Sequence, residues 1–340
     1  MTAAGLPPPA PMSETDGPLT AARLASLRAE GRPVVLRGLV ADWPAVAAAR
    51  QGDAAMIAYL LREPTTRPVG AIAAPPSEQG RFFYTPDATR LNFVRGNGRL
   101  ETFLSDLLRA AAMPDPPAMA VQSEMIDDLL PAFARENRLA ALADVRARIW
   151  IGNRIRVGTH WDAKANIACC VAGRRRFTLY PPDQIAALYP GPFEVTPAGV
   201  PVSMVDPHAP DLDKYPRFAE AAQHASTGTL EPGDAIYIPY GWWHGVESLD
   251  PVSILVNYWW TPDHHEGIGN PYDALMHAMF AFRHMPSDQR AVWRGLLDYY
   301  VFGAEGDPGA HLPVQAKGIL GPPSRENLAA MRDFIRQVLG

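Results

Sequence analysis

Two short segments of the sequence contain side chains that could bind one metal ion together. His160 and Asp162 stand two residues apart directly after a predicted strand, so an extended backbone points both side chains to the same side. His244 follows a Gly-Asp turn, a short strand and a Pro-x-Gly sequence. Two imidazoles and one carboxylate form the facial ligand set of non-haem Fe(II) centres, which leaves three coordination positions open. His160, Asp162 and His244 are therefore candidate ligands of an Fe(II) ion.

The residues around these motifs are rich in aromatic side chains. Five of the eight tryptophans lie within the two motifs or in the last predicted strand, namely Trp161, Trp242, Trp243, Trp259 and Trp260. Aromatic side chains around a few polar groups are typical of small-molecule pockets. The same crowding is typical of any β core, and a lone His-x-Asp pair is common in proteins that bind no metal. These residues alone leave both interpretations open.

A β core is predicted to position the candidate ligands. Five short segments are rich in β-branched and aromatic residues and are separated by Gly and Pro, namely 149–155, 165–171, 176–180, 235–238 and 252–259. Several short strands with turn signals between them predict an all-β barrel or sandwich. The Pro-rich segment 181–226 lies between them as a long insertion.

Helical patterns flank the β segments on both sides. Apolar residues recur at helical spacing in 19–30, 54–62, 100–112, 123–143, 273–283, 289–300 and 325–339. The predicted organisation is a flexible Pro-rich leader over 1–18, a supporting helical and β part over 19–146, a β core over 147–265 and a helical region over 266–340.

Composition excludes several functional classes. The chain has 340 residues, 31 basic and 36 acidic, and a formal net charge of −5, so a dedicated nucleic-acid binder is not expected. No stretch approaches the roughly 18 apolar residues of a membrane helix. Residues 1–18 carry no basic residue and no apolar run, so we expect no signal peptide and a cytoplasmic protein. The two cysteines are adjacent, which excludes a disulfide framework.

Several motifs occur in an order that resembles a known family. The segment 233–244 matches the second cupin motif as Gly233-(five)-Pro239-x-Gly241-(two)-His244, with Ser248 where that motif often has Asn. The remaining matches are His160-x-Asp162, Asn166, Gly173–Pro182, Asn257-Tyr-Trp259, Pro33–Leu39 and Trp43-Pro44. Over roughly residues 20–265 the chain resembles the cupin-like JmjC oxygenases, a group that includes the asparaginyl hydroxylase acting on hypoxia-inducible factor. The resemblance implies a double-stranded β-helix, or jelly roll, with helical flanks.

The resemblance also implies roles for individual residues. His160, Asp162 and His244 would bind Fe(II), and Asn166 and Asn257 match positions that line the 2-oxoglutarate site of the family. Arg175 stands where the family usually has the Lys that binds the distal carboxylate of this cosubstrate, and arginine can pair with a carboxylate as well. Two positions where the family often has a hydroxyl are Val157 and Ala120 here. We expect the hydroxyl of Thr159 or Tyr180 to compensate.

Three functions are compatible with these features. The resemblance implies an Fe(II)- and 2-oxoglutarate-dependent hydroxylase that acts on a protein or peptide side chain. The alternatives are a cupin-fold metal-binding regulatory protein without 2-oxoglutarate turnover, and a cupin enzyme of another reaction class. The C-terminal helices carry apolar faces that require a covering surface, namely Leu275, Met279 and Phe282, then Val292, Leu296 and Tyr299, then Leu328, Met331, Ile335 and Leu339. Either their own barrel or, as in the resembled family, a second chain in a homodimer would supply that surface.

Overall fold

The β-strands and helices of the chain come from a computed structural model that describes residues 5–62, 64–261 and 271–339. The chain divides into two units, residues 1–261 and residues 262–340. In chain order the strands described are β1 (Ala10–Pro11), β2 (Ser13–Thr15), β3 (Val34–Leu36), β4 (Pro68–Ala74), β5 (Arg81–Phe82), β6 (Val94–Arg99), β7 (Ala118–Met125), β8 (Ala147–Gly152), β9 (Arg156–Trp161), β10 (Ala165–Ala172), β11 (Arg175–Tyr180), β12 (Ser226–Leu230), β13 (Ala235–Ile238), β14 (Trp243–Ser248) and β15 (Ser253–Trp260).

Seven of the helices described lie between strands, and three follow the last strand. They are α1 (Ala21–Glu30), α2 (Pro44–Arg50), α3 (Asp53–Leu61), α4 (Leu100–Ala111), α5 (Ile126–Leu129), α6 (Pro131–Glu136), α7 (Phe218–Gln223), α8 (Pro271–Phe282), α9 (Ser287–Tyr300) and α10 (Arg325–Leu339). Short 3-10 helices cover Pro76–Glu78, Ala140–Leu142, Pro182–Ala186, Val314–Ala316 and Gly318–Leu320. No helix in the described ranges is both long and apolar enough to cross a membrane.

Two sheets form a jelly roll. One sheet has the order β1-β12-β11-β14-β9-β5, and the other has the order β2-β3-β13-β10-β15-β8-β7-β4-β6. At their centres, the antiparallel sets β12-β11-β14-β9 and β13-β10-β15-β8 each have four strands. Apolar side chains from both sets, including Cys170, Phe177 and Leu255, pack in one buried cluster. The predicted double-stranded β-helix with helical flanks is confirmed.

A larger apolar cluster joins the nine-stranded sheet to the helices before it. In α4, Phe103, Leu104 and Leu107 are buried, and Leu108 is half-buried beside them. These residues recur at three- and four-residue spacing, so one face of α4 packs against the cluster while its opposite face remains in water. Trp43 and Leu60 from the preceding helical segment lie in the same cluster. This layer supports the sheet from which Asn166 and Asn257 project.

The leader is not a flexible segment throughout. β1 pairs in parallel with β12, and β2 pairs in parallel with β3, so residues 10–15 extend both sheets. Met12 is buried between them, and the Arg37 Nε donates to Glu14 Oε2 at 2.9 Å. The prediction of a flexible leader over 1–18 is wrong for these residues, because strands of two and three residues are too short to show a periodic pattern. Residues 1–4 lie outside the described ranges.

The supporting part over 19–146 also contributes more strands than its pattern indicates. The segment 123–143 is predicted to form one or two helices; residues 123–125 instead complete β7, while α5, α6 and one 3-10 turn lie in the rest of the segment. β4, β6 and β7 extend the nine-stranded sheet beyond β8. β6 has the sequence VRGNGR and every residue of it is exposed, so no buried face marks it as a strand.

The C-terminal unit contains the three predicted helices as α8, α9 and α10. The predicted boundary at residues 265 and 266 falls in 262–270, outside the described residues. Neither α8 nor α9 contains a buried residue, although both carry large apolar side chains. Phe280 is 78% exposed and Val292 is 63% exposed. These two helices therefore lack the packed face that normally stabilises helices of this length.

One turn glycine of the jelly roll allows a direct test of the β10–β11 connection. Gly173 has φ of +65°, and a Cβ there would lie 2.4 Å from the Val252 carbonyl oxygen. Gly38 has the same φ of +65°, with open space around it. We expect Gly38→Ala to cost about 1–2 kcal/mol for the backbone conformation alone. Gly173→Ala should cost at least about 1 kcal/mol more, because a backbone oxygen must move. Urea unfolding of both variants measures the difference, and equal losses would contradict this packing.

Candidate functional site

A β-bulge between β9 and β14 sets the direction of the candidate ligands. His160 pairs with His244, and Val157 pairs with Val246, so two residues of β9 lie opposite Gly245 alone. An extra residue in one strand breaks the strict alternation of side chains. As a result, both Val157 and His160 line the same cavity, although they are three residues apart.

His160, Asp162 and His244 meet in this cavity. One candidate ligand atom from each residue lies within 4.8 Å of the other two. The two imidazole rings are 4.3 Å apart between centroids, and His244 Nε2 lies 3.6 Å from Asp162 Oδ2. Both histidines are buried, while Asp162 is half-buried. The predicted ligands are therefore close enough to bind one ion.

The outer nitrogen of each imidazole is held by a backbone carbonyl. His160 Nδ1 lies 2.9 Å from the Gly158 oxygen, and His244 Nδ1 lies 3.0 Å from the Trp242 oxygen. A carbonyl only accepts, so each Nδ1 carries the proton and donates. This tautomer leaves Nε2 of each ring unprotonated, with its lone pair available to a metal.

Burial keeps the His244 ring in the form that binds a cation. Desolvation, together with the neighbouring His160, lowers the pKa of His244 to about 4, so this ring is neutral near pH 7. Asp162 Oδ2 is buried without a hydrogen-bond donor. A buried carboxylate oxygen without a donor is costly unless a cation compensates it. Two imidazole Nε2 atoms and this carboxylate oxygen fit Fe(II).

The cavity around the triad has a volume of about 710 Å³ and is mostly apolar in its lining. Among the predicted site residues, it is lined by His160, Asp162, His244, Asn166, Arg175 and Asn257. Further lining comes from β4, β6 and β7 and from residues 196–199 of the long insertion. Elements from three distant parts of the sequence thus enclose one site.

Arg175 is a buried cation without an acidic partner. It is 5% exposed, its Nε donates to Ser253 Oγ at 2.9 Å, and no ion pair involves it among the described residues. Burial lowers the pKa of Arg175 to about 10, which still leaves the guanidinium charged near pH 7. A charge buried in this way is costly unless an anion joins it. The cavity therefore contains a ready site for a carboxylate.

Asn166 and Asn257 belong to a hydrogen-bond chain that begins at Trp150. The Trp150 indole Nε1 donates to Asn257 Oδ1 at 2.8 Å, and Asn257 Nδ2 donates to Asn166 Oδ1 at 3.3 Å. Since Asn166 accepts through its oxygen, its own NH₂ group remains for another acceptor. Trp150 and Ser253 were not singled out from the sequence. Alternation in β8 would have revealed Trp150, because its neighbours Ile149 and Ile151 both face the core.

The two hydroxyls expected to compensate for Val157 and Ala120 lie elsewhere. Thr159 is turned away by the bulge and lines a separate small pocket of about 30 Å³ on the other face of β9. Tyr180 packs against Phe218, with ring centroids 6.2 Å apart, in a third apolar cluster. Neither residue lines the triad cavity, so the predicted cosubstrate contact of Thr159 is wrong. Ser253, through Arg175, is the hydroxyl that the structure brings to this region.

Curated proteins with similar sequences include lysine-specific demethylases. Lysine-specific demethylase 8 of Danio rerio is 26% identical over 239 residues, which cover 68% of this chain and 53% of that protein. Lysine-specific demethylase JMJ31 of Arabidopsis thaliana is 34% identical over 145 residues, which cover 42% of this chain and 25% of that protein.

HSPB1-associated protein 1 of Homo sapiens is 37% identical over 118 residues, which cover 33% of this chain and 22% of that protein. The chain thus matches about a quarter of the length of this relative and of JMJ31. Residues 20–266 match the family model described as a cupin-like domain, which agrees with the jelly roll and its His-x-Asp…His arrangement. With well over half of its length in that match, and with the motif resemblance to JmjC proteins confirmed, the chain belongs to the cupin-like domain family.

Proposed function

We propose that this protein is an Fe(II)- and 2-oxoglutarate-dependent oxygenase that hydroxylates a side chain of a protein or peptide. The observation that carries the proposal is the position of Arg175. A buried guanidinium without an acid lines the same cavity as two imidazoles and a carboxylate. A metal-binding regulatory protein needs the triad but has no use for a buried cation beside it. The demethylase names among its relatives support a protein substrate.

Each part of the cavity has a role in this proposal. His160, Asp162 and His244 would bind Fe(II), which supplies the redox chemistry that activates dioxygen. Arg175 would pair with the distal carboxylate of 2-oxoglutarate, and the free NH₂ group of Asn166 would donate to the same molecule. Trp150 holds Asn257, and through it Asn166, in the required orientation.

One assay separates this function from its alternatives. The full-length chain with Fe(II), ascorbate and 2-oxoglutarate should form succinate, even without a substrate, at a slow uncoupled rate. Succinate formation should depend on added Fe(II). A chain that binds Fe(II) with full occupancy but forms no succinate would support the regulatory protein instead.

The first prediction of this proposal concerns metal binding. His160→Ala and His244→Ala each remove one neutral nitrogen ligand and leave two protein ligands, which are too few for tight binding. We expect Fe(II) content to fall from one per chain to below one tenth, measured by elemental analysis after dialysis. His208→Ala is the matched control, because His208 pairs with Glu247 on the opposite face of β14 at 3.3 Å. Full occupancy in either triad variant would contradict the assignment.

The second prediction concerns the cosubstrate. Removing one partner of a buried charge pair costs about 3–5 kcal/mol, so Arg175→Ala should weaken 2-oxoglutarate binding well over tenfold. Titration calorimetry without dioxygen measures this affinity, and the Fe(II) content should remain one per chain. Arg176→Ala is the matched control, because Arg176 is the next residue of β11 and is exposed. Equal affinities in the two variants would disprove the role of Arg175.

We also propose that the protein is a homodimer that buries its C-terminal helices. The exposed apolar side chains of α8, α9 and α10 support this, because helices without a buried face are marginal in water. In a two-fold dimer, the apolar surface of one chain would cover the same surface of the second chain. An obligate interface of that kind buries upwards of about 2,000 Å² in total.

The third prediction tests this dimer. Light scattering of the full-length chain at micromolar concentration should give a mass near twice the 37.1 kDa of the monomer. Leu296→Arg places a charge in the apolar face of α9, where Leu296 is 39% exposed, and should give the monomer mass. Arg294→Ala changes an exposed residue of the same helix and should leave the dimer intact. A monomeric parent protein would end the proposal.

A further inference from the structure

The outer strand of the nine-stranded sheet lies beside the cavity. β6 is the last strand of that sheet, pairs with β4 and has no second partner strand among the described residues. All six of its residues are exposed. Three of them, Arg95, Gly96 and Asn97, also line the cavity that contains the triad. An open strand edge therefore reaches the candidate active site.

The free backbone groups of β6 can be identified from its partner. Gly70 lies opposite Asn97, and the Gly70 N–H donates to Glu124 Oε1 at 2.8 Å. Glu124 belongs to β7, on the other side of β4, so the Gly70 backbone groups point away from β6. In an antiparallel pair, opposite residues either both bond to each other or both point away. The N–H and C=O of Asn97 therefore point out of the sheet. Because this pattern repeats every two residues along a strand, the N–H and C=O groups of Arg95 and Arg99 also point out of the sheet.

This edge lacks most of the features that usually prevent further pairing. β6 contains no proline, and a Cβ on Gly96 or Gly98 would meet nothing within 4 Å. Edge strands in native proteins are commonly blocked by proline, by bulges, by a covering element or by charged side chains. Among the described residues, only the charges of Arg95 and Arg99 oppose an incoming strand at β6, and an acidic strand would compensate them.

The charge at the cavity mouth is positive. The lining contains three formally charged residues besides the histidines, and Asp162 and Arg175 already have roles in the proposed function. Arg95 is the third, and no ion pair involves it among the residues described; its guanidinium lies 5.2 Å from the Phe93 ring centroid. A carboxylate on an incoming segment would supply its missing partner.

We propose that β6 pairs with an extended, acidic segment of the protein substrate, which becomes an added strand and presents one side chain to the cavity. This inference rests on the proposed function, because it assumes a protein or peptide substrate. Main-chain hydrogen bonds would supply affinity, and alternate side chains would supply selectivity.

A second copy of this chain fits the same edge less well. Two β6 strands pairing antiparallel about Asn97 would place Arg95 of each copy opposite Arg99 of the other. Like charges directly opposite across a ladder are destabilising. The edge therefore favours an acidic partner strand over its own copy.

The test uses capped ten-residue peptides in which Glu alternates with Val and Thr. Binding to the full-length chain is measured by fluorescence polarisation without dioxygen, so no turnover is needed. Two further peptides carry N-methyl groups on alternate residues. The first series of N-methyl groups lies on one edge of the extended peptide, and the second series, in the other peptide, lies on the opposite edge. We expect one series to bind at least about tenfold more weakly and the other within about twofold, because two backbone hydrogen bonds face β6 on one edge alone. Replacing Glu with Lys should also weaken binding at least about tenfold.

Two variants of the protein, changed at Arg99 of β6, test the same pairing. Arg99 has φ of −80°, close to the fixed φ of proline, so Arg99→Pro removes an outward N–H with little strain. Arg99→Ala is the matched control, because it loses the same guanidinium but retains the N–H. Peptide binding should be about threefold to tenfold weaker in Arg99→Pro than in Arg99→Ala. Arg95→Glu should reverse the preference for Glu over Lys peptides.

Each outcome decides the proposal. Equal effects of the two N-methyl series, equal affinities of the two Arg99 variants, or stronger binding of the Lys peptide would overturn it. A lower mass of Arg99→Pro in light scattering, without any change in peptide binding, would assign the edge to a second copy and also overturn it. Succinate formation without edge-dependent peptide binding contradicts this inference alone. Edge-dependent binding without succinate formation contradicts the proposed cosubstrate chemistry alone.

Discussion

The pairing of β9 with β14 is the constraint on which the site depends. His160 stands opposite His244 in this ladder, so one register brings the two imidazoles to within 4.3 Å of each other between centroids. A slip of one residue would turn His160 to the other face, where Thr159 now lies. The bulge opposite Gly245 fixes that register locally. The register of backbone pairing therefore brings the two histidines of the proposed metal site together.

The remaining polar groups of the cavity are costly for the fold unless ligands join them. Arg175 and Asp162 Oδ2 are both buried in a sandwich whose neighbouring side chains are largely apolar. Burial of an uncompensated charge opposes folding. Large apolar clusters on both faces of the nine-stranded sheet offset this cost. A ligand that binds the folded state would further stabilise it by mass action, which links cosubstrate binding to stability.

The sequence predicted the parts of this protein that have a strong local pattern. Five core strands are marked by β-branched and aromatic residues between Gly and Pro, the amphipathic helix α4 shows a clear apolar period, and the triad is identified by residue type and spacing. The position of Thr159 could not be predicted, because the bulge that reverses its side chain depends on pairing with residues 84 to 89 positions later in the chain. β9 and β6 both contain glycine and polar residues, so their sequences carry little strand signal and tertiary pairing makes them strands. Alternation in β8 shows which face Trp150 occupies, but its hydrogen bond to Asn257, 107 positions later in the chain, could not be predicted from the sequence.

The two edge strands of the nine-stranded sheet, β2 and β6, differ in length and exposure, and this difference is relevant to the proposed function. At one end, β2 has three residues and is held by the ion pairs of Arg37 with Glu14 and Asp234. An edge strand of only three residues offers little length for further pairing. At the other end, β6 has six residues and two glycines, and its exposed edge borders the cavity. The open edge of this sheet therefore lies beside the proposed metal site, where the proposed strand pairing would bring a substrate side chain to the cavity.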